Sequence, residues 1–186
     1  MWARRPTVRE CALGLMILCA ASRSYTQDVQ KVPAMIAQVA KESRVPVGLF
    51  YAIVLAESRS PTQQGPKTWP WTINRKGIPH YFQTREQAYH YATKLVEQGT
   101  NNFDIGIAQM NWKWHQGTFD RDLWLALDPY TNLRAGAEHF RHQYDRPACG
   151  DWARAVGCYH RPARGKNDRR IAKKYTERVL KIWREF

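Results

Sequence analysis

Between Val47 and Ala56 the chain reads VGLFYAIVLA, ten residues with no charge and no polar side chain other than the phenol of Tyr51. Pro46 in front of it suits the first turn of a helix. A helix that is apolar on every face has to be buried on every side, so other helices must wrap it. The run ends at Glu57-Ser58. A carboxylate there sits where a core helix emerges, and two effects act on it in one direction: desolvation favours the neutral acid, and the negative end of the helix dipole disfavours the charge. An ordinary Glu has a pKa near 4.3, whereas general acids are often tuned to about 6 to 7. Glu57 is therefore expected to carry a proton at neutral pH on the floor of a cleft. The alternative is a helix-end residue that turns outward with Ser58 and Arg59.

The rest of the chain supplies the wrapping. Val32, Met35, Ile36 and Val39 form one apolar stripe at helical spacing. Thr84 starts a helix, with Gln87 completing a capping box and an apolar face of Ala88, Tyr91, Ala92, Leu95 and Val96 before Gly99 stops it. Asp128 caps and Pro129 opens a helix carrying Leu133, Ala137 and Phe140; Asp151 caps a shorter one with Trp152, Ala155, Val156 and Tyr159. A last helix presents Ile171, Tyr175, Val179 and Ile182. From Pro61 to Gln83 lies a Trp-rich stretch, containing WPWTINRKGIPHYF, that reads as a loop or short hairpin. No other segment reads as a strand. The fold class expected is mainly α, one domain with a Trp-rich loop or hairpin insertion.

The N-terminus reads differently. Arg4, Arg5 and Arg9 precede an apolar run from Cys11 to Ala21 that is too short to span a bilayer, which takes about 20 residues. Residues 1–24 are read as a secretory signal cut near Ser22 to Ser24, with residues 25–186 as the mature domain. A retained anchor and lipidation at Cys19 are the alternatives, the latter opposed by the bulky Leu18. The protein is thus expected to be exported to the periplasm or cell envelope, with no membrane span after cleavage. The formal net charge of +13 falls to about +10 once the four Arg and one Glu of the signal are removed. Such a charge calls for a polyanionic partner, and for an exported protein the cell wall is the nearest. The Lys and Arg between Arg161 and Arg184 read as a solvated helix face, and no nucleic-acid partner is expected. His80, His115 and His160 are too scattered for a metal site, and no cofactor is expected. Cys149 and Cys158, nine positions apart, would lie about 13 Å apart on one helix, beyond the roughly 7 Å that a disulfide spans. Either Cys149 folds back from a loop to pair, or both remain thiols.

Two further stretches carry polar chemistry. FDIGIAQMNW, Phe103 to Trp112, reads as a polar-edged loop around the amide of Gln109, and AVGCYHRP, Ala155 to Pro162, puts Tyr159 and His160 at a helix end. With these in place the sequence resembles the lytic transglycosylases with a lysozyme-like catalytic domain. That family's Glu-Ser pair at the end of an apolar helix matches Glu57-Ser58. Its Gly-Leu-Met-Gln motif, often followed by Asn, matches Gly106 to Gln109 with Asn111. Its Asn-Ile…Gly helix looks like Asn132 to Gly136, its Ala-Tyr-Asn-Ala-Gly motif is similar to Cys158-Tyr159-His160, and its late Tyr resembles Tyr175. The likeness runs roughly from Val29 to Val179. It departs at His160, where the family usually has Asn, at Arg161-Pro162 in place of Ala-Gly, and in the long interval from Glu57 to Gly106. The WPWTIN stretch looks like a segment of transglycosylases associated with conjugation or secretion machinery.

The resemblance implies a lysozyme-like domain that cuts peptidoglycan glycan strands between N-acetylmuramic acid and N-acetylglucosamine, leaving 1,6-anhydromuramoyl ends. Glu57 would be the catalytic acid and base, and Ser58, Gln109, Asn111, Tyr159 and His160 would face the substrate. Two readings compete with it: a lysozyme-type hydrolase, which usually needs a second carboxylate such as Asp104, and a non-catalytic wall-binding or assembly subunit. Asp104 also reads as a loop residue bonding its own backbone. Trp69, Trp71, Trp112 and Trp114 fall in expected loops, where half-exposed rings suit stacking on sugars; at least half of them are expected to anchor loops on the core instead.

Overall fold

The computed structural model describes residues 32–60, 67–161 and 165–185 of the chain; the expected signal and Cys19 lie outside them. Helix α1 (Ala34–Glu42) is followed by α2 (Val47–Ser58), the apolar helix. Of the twelve residues of α2 eight are buried, on all sides of the helix, and Tyr51 and Ala56 pack against the same core. Strand β1 (Arg59–Ser60) then pairs with β2 (Lys67–Thr68), β3 (Thr72–Arg75) pairs with β4 (Ile78–Tyr81), and α3 (Arg85–Glu97) follows. Next come β5 (Asp104–Ile105), β6 (Met110–Asn111), the short α4 (Trp112–His115) and α5 (Leu123–Ala126). The long α6 (Pro129–Asp145), α7 (Trp152–His160) and α8 (Lys166–Arg184) complete the order. The protein is mainly helical with a small antiparallel sheet.

Two cores meet at α6. In the first, Leu133, Ala137 and Phe140 of α6 join α1, α2, α7 and α8, through residues such as Val39, Ile53, Val156 and Val179, all fully buried. The second lies under the sheet, where Ile73, Ile105 and Phe103 pack with Ala88, Ala92 and Leu95 of α3, and Ala135 of α6 faces them. Helix ends follow the chemistry of the sequence. Asp128 accepts a bond from the Thr131 amide and Asp151 one from the Arg154 amide, both at 2.8 Å, which satisfies first-turn donors. Thr84 accepts from the Gln87 amide, but the Gln87 side chain reaches back to the amide of Gln83, one residue before the cap. Met35, expected on the apolar stripe of α1, is 44% exposed; Ile36 and Val39 carry that face.

The sheet is the main departure from the helical expectation. Its strand order is β4-β3-β5-β6, antiparallel throughout. The Trp-rich stretch does form a hairpin, turning at Lys76 and Gly77 with φ of 53° and 82°, the pair of left-handed residues that suits a tight hairpin turn. The segment expected as a loop around Gln109 is a second hairpin, Ile105 facing Met110 across a turn from Gly106 to Gln109. Cys149 lies in a single 3₁₀ turn (Pro147–Cys149) ahead of α7, which folds it back onto the helix; it is bonded to Cys158 with the Cα atoms 6.5 Å apart. Replacing both cysteines by Ala is expected to cost about 2–3 kcal/mol, the loop-closure value for a bridge of this span, read as a lowered urea midpoint with an unchanged far-UV spectrum.

Candidate active site

The turn between β5 and β6 is built around one side chain. Asn132 of α6 is fully buried, and its amide nitrogen donates to the carbonyls of Ile105 (3.0 Å) and Ala126 (2.9 Å) while its oxygen accepts from the Ala108 amide (2.7 Å). Gly106 takes φ of 82°, and a Cβ there would stand 2.3 Å from the Asn132 side-chain nitrogen. A Cβ on Gly136, one turn along α6, would meet Ala108 Cβ at 2.6 Å. Both glycines are required by this close approach, which locks the turn onto α6. The turn in turn sets Gln109: its φ is 49°, and its amide nitrogen donates to Gly106 O (2.7 Å) and Thr72 O (3.0 Å). Those bonds tie the two hairpins together.

Glu57 emerges beside this turn at the end of α2, with its side chain 14% exposed. The phenol of Tyr175, on α8, donates to Glu57 Oε1 at 2.5 Å. Burial, opposed by the Tyr175 bond and the positive charge of Arg178 and helped by the charge of Asp104, leaves the Glu57 pKa raised to about 7. Burial likewise drives the Tyr175 phenol well above its usual range, with the Glu57 charge adding. His160 stacks on Tyr175, ring centroids 4.4 Å apart and planes within 2°, and its Nδ1 stands 4.0 Å from Glu57 Oε1. Desolvation, then the charges of Arg178 and Arg161, lower the His160 pKa to about 4, although 39% of its side chain stays open. An unshifted imidazole would also be mostly neutral at pH 7. The contact with Glu57 is therefore not an ion pair at neutral pH.

Glu57 and His160 face a cleft of about 810 Å³, with Tyr175 buried behind them. Of the residues expected at the site, Glu57, Gln109, Asn111, Tyr159 and His160 line it. Ser58 does not: it is fully buried, and its hydroxyl donates to Val54 O at 3.0 Å within the same helix. One residue on from Glu57 is about 100° around a helix, which turns Ser58 into the core. Tyr159 lines the cleft, but its hydroxyl is committed to Ala108 O at 2.8 Å; the phenol on Glu57 belongs to Tyr175 instead. Asn111 donates to Asp104 Oδ1 (2.8 Å) and Asn102 Oδ1 (3.1 Å). Asp104, a strand residue rather than a loop residue, is raised in pKa by burial against the Asn111 bond, and it shares the cleft with Glu57.

Nothing in the sequence marks His139 as part of the site; burial lowers its pKa to about 4, and it packs between His115 and Tyr159. Nor does the sequence mark Tyr175 as the partner of Glu57. Tyr175 sits in the apolar stripe of α8 and is 4% exposed, so its spacing marks it as core; only its place in the resemblance singled it out. Of the four tryptophans, Trp112 is core, stacked on Phe103, and Trp69 is pinned by a bond from its indole nitrogen to Phe82 O. Trp71 packs on the second core, and Trp114 alone among them is open, at 73%. Among the described residues no group of three or more His, Cys, Asp or Glu is placed to hold a metal ion.

Comparison with models of protein families, with curated proteins and with solved structures gave no match to this chain. Because the Tyr175 bond favours the charged carboxylate, Tyr175→Phe is expected to raise the Glu57 pKa by about one unit, the size of one hydrogen bond to a charged group. Carboxyl ¹³C shifts followed against pH in the free protein measure it.

Proposed function

We propose that the protein is an exported peptidoglycan lytic transglycosylase with a lysozyme-like domain, which opens the wall locally for a conjugation or secretion apparatus. The observation that carries this reading is Glu57: a carboxyl raised to about 7, held by Tyr175, at the floor of an open cleft. Such an acid can be protonated at the start of a turnover and ionised halfway through it. Its proton passes to the glycosidic oxygen as the bond to muramoyl C1 breaks. The carboxylate then takes the proton of the muramoyl 6-hydroxyl, whose oxygen closes on C1 as a 1,6-anhydro bridge, so the acid is regenerated and no water is consumed. With its amide nitrogen committed to Gly106 and Thr72, Gln109 keeps its carbonyl oxygen to accept from a sugar hydroxyl or acetamido N–H. The net charge of about +10 on residues 25–186 suits an anionic wall polymer.

A lysozyme-type hydrolysis has one observation in its favour, the second carboxyl of Asp104 in the same cleft. The products separate the two. Purified protein on isolated peptidoglycan is expected to release anhydromuropeptides by mass spectrometry; muropeptides ending in reducing muramic acid would mean hydrolysis. Glu57→Gln is expected to lower the rate by at least about 10²-fold with the fold intact, the contribution of a positioned general acid, and wild-type activity to fall as pH rises through about 7.

The same group links pH to stability. A folded pKa raised from 4.5 to about 7 favours the neutral acid, so its contribution is complete below about 4.5 and is lost as pH rises through about 7. That difference corresponds to about 3 kcal/mol. Urea titrations from pH 5 to pH 9 are expected to show wild type weakening by up to that amount, and Glu57→Gln to lack this part of the slope.

A further inference from the structure

Trp114 lies in the four-residue helix α4, and its placement is set by its neighbours. Two residues before it, Trp112 is 3% exposed, stacked on Phe103 at 6.3 Å, and its amide donates to Phe103 O at 2.8 Å. One residue after it, the ring of His115 packs on that of His139 at 4.8 Å. The backbone is thus clamped on both sides of Trp114, whose own side chain remains 73% exposed. Among the described residues its one ring contact is with Lys113, whose Nζ stands 5.0 Å from the centroid. A ring this large left in water has no role in packing, and it lines the same cleft as Glu57.

The surroundings narrow the ligand. Asn74 and Asn102, whose oxygens accept bonds within the protein, line the cleft with amide nitrogens, and Gln109 lines it with an amide oxygen; such groups donate to and accept from hydroxyl and acetamido groups. Indole offers a flat, electron-rich face to polarised C–H groups and to partial positive charge. An equatorially substituted pyranose presents just such a C–H face, with its polar groups at the rim. A volume of about 810 Å³ is in the range of about 300–1,000 Å³ that encloses ligands larger than one sugar ring.

We infer that Trp114 is the platform of a distal sugar subsite, stacking one pyranose of a β-1,4-linked N-acetylated glycan strand away from the bond beside Glu57. This rests on the glycan reading above and adds to it a dependence on strand length. Trp114 holds the strand and donates no proton to the bond, so its loss weakens the binding of long strands.

The test uses the Glu57→Gln protein, which holds strands without consuming them, titrated by calorimetry with N-acetylglucosamine trimer and hexamer. The hexamer is expected to bind more tightly than the trimer. Adding Trp114→Ala is expected to weaken hexamer binding about ten-fold, as for loss of one good aromatic contact, and to leave the trimer unchanged. Trp114→Tyr, which keeps a flat ring, is expected to retain most of the gain. Equal hexamer affinity with and without Trp114 overturns the subsite while leaving the glycan reading in place. No binding of either oligomer by Glu57→Gln, with its far-UV spectrum native, overturns the glycan reading and the subsite with it.

Discussion

An ionisable group held out of water is the constraint around which this molecule is arranged. Glu57 ends a helix that has no wet face, and its carboxyl would be far from neutral pH in its titration were it not for that burial. Full desolvation of a charge is costly, and a buried carboxyl with no partner would stay neutral across the working range. Tyr175 and Arg178 bring it back within reach of ionisation. Burial alone gives an inert acid and a partner alone gives an ordinary one; the balance between them gives a group that can change state near pH 7.

A second polar centre serves the first without touching it. Asn132 satisfies three backbone groups in a place where none of them meets water, and unsatisfied groups there would each cost about 1–3 kcal/mol. Through those bonds the turn from Gly106 to Gln109 is pinned to α6, and through Gln109 and Thr72 the Trp-rich hairpin is pinned to the turn. The cleft therefore has one wall made by helix ends and another made by strands, each packed against α6. The strands carry Asp104 and Asn111 into the space that α2, α7 and α8 leave open.

How much of this could be read in advance follows from the length of each element. The helices were legible because Thr84, Asp128, Asp151 and Gly99 punctuate them and their apolar residues recur at helical spacing. Strands of two residues, such as β5 and β6, hold a single period of alternation, too few residues to reveal a pattern, so their segment reads as a loop. Glu57 stood out because its setting is wholly local. Tyr175 did not, because the fact that matters, a bond across 118 positions, leaves no trace in a stripe that any packed helix would show. Ser58 misled for the opposite reason: adjacency in sequence looked like adjacency in the site, and the helical turn sends its hydroxyl back to Val54. The pairing of Cys149 with Cys158 turned on whether a helix or a turn precedes Asp151, which periodicity over so few residues does not decide.

The order of these parts along the chain has a consequence for biosynthesis. Glu57 emerges from the ribosome more than a hundred residues before the helix that carries its partner Tyr175. Until α8 docks, Tyr175 and Arg178 are absent from its side and the imidazole of His160 has no ring to rest on. An unfolded chain thus carries the ingredients of the cleft without the proton, and that proton is acquired only once α8 closes over the end of α2.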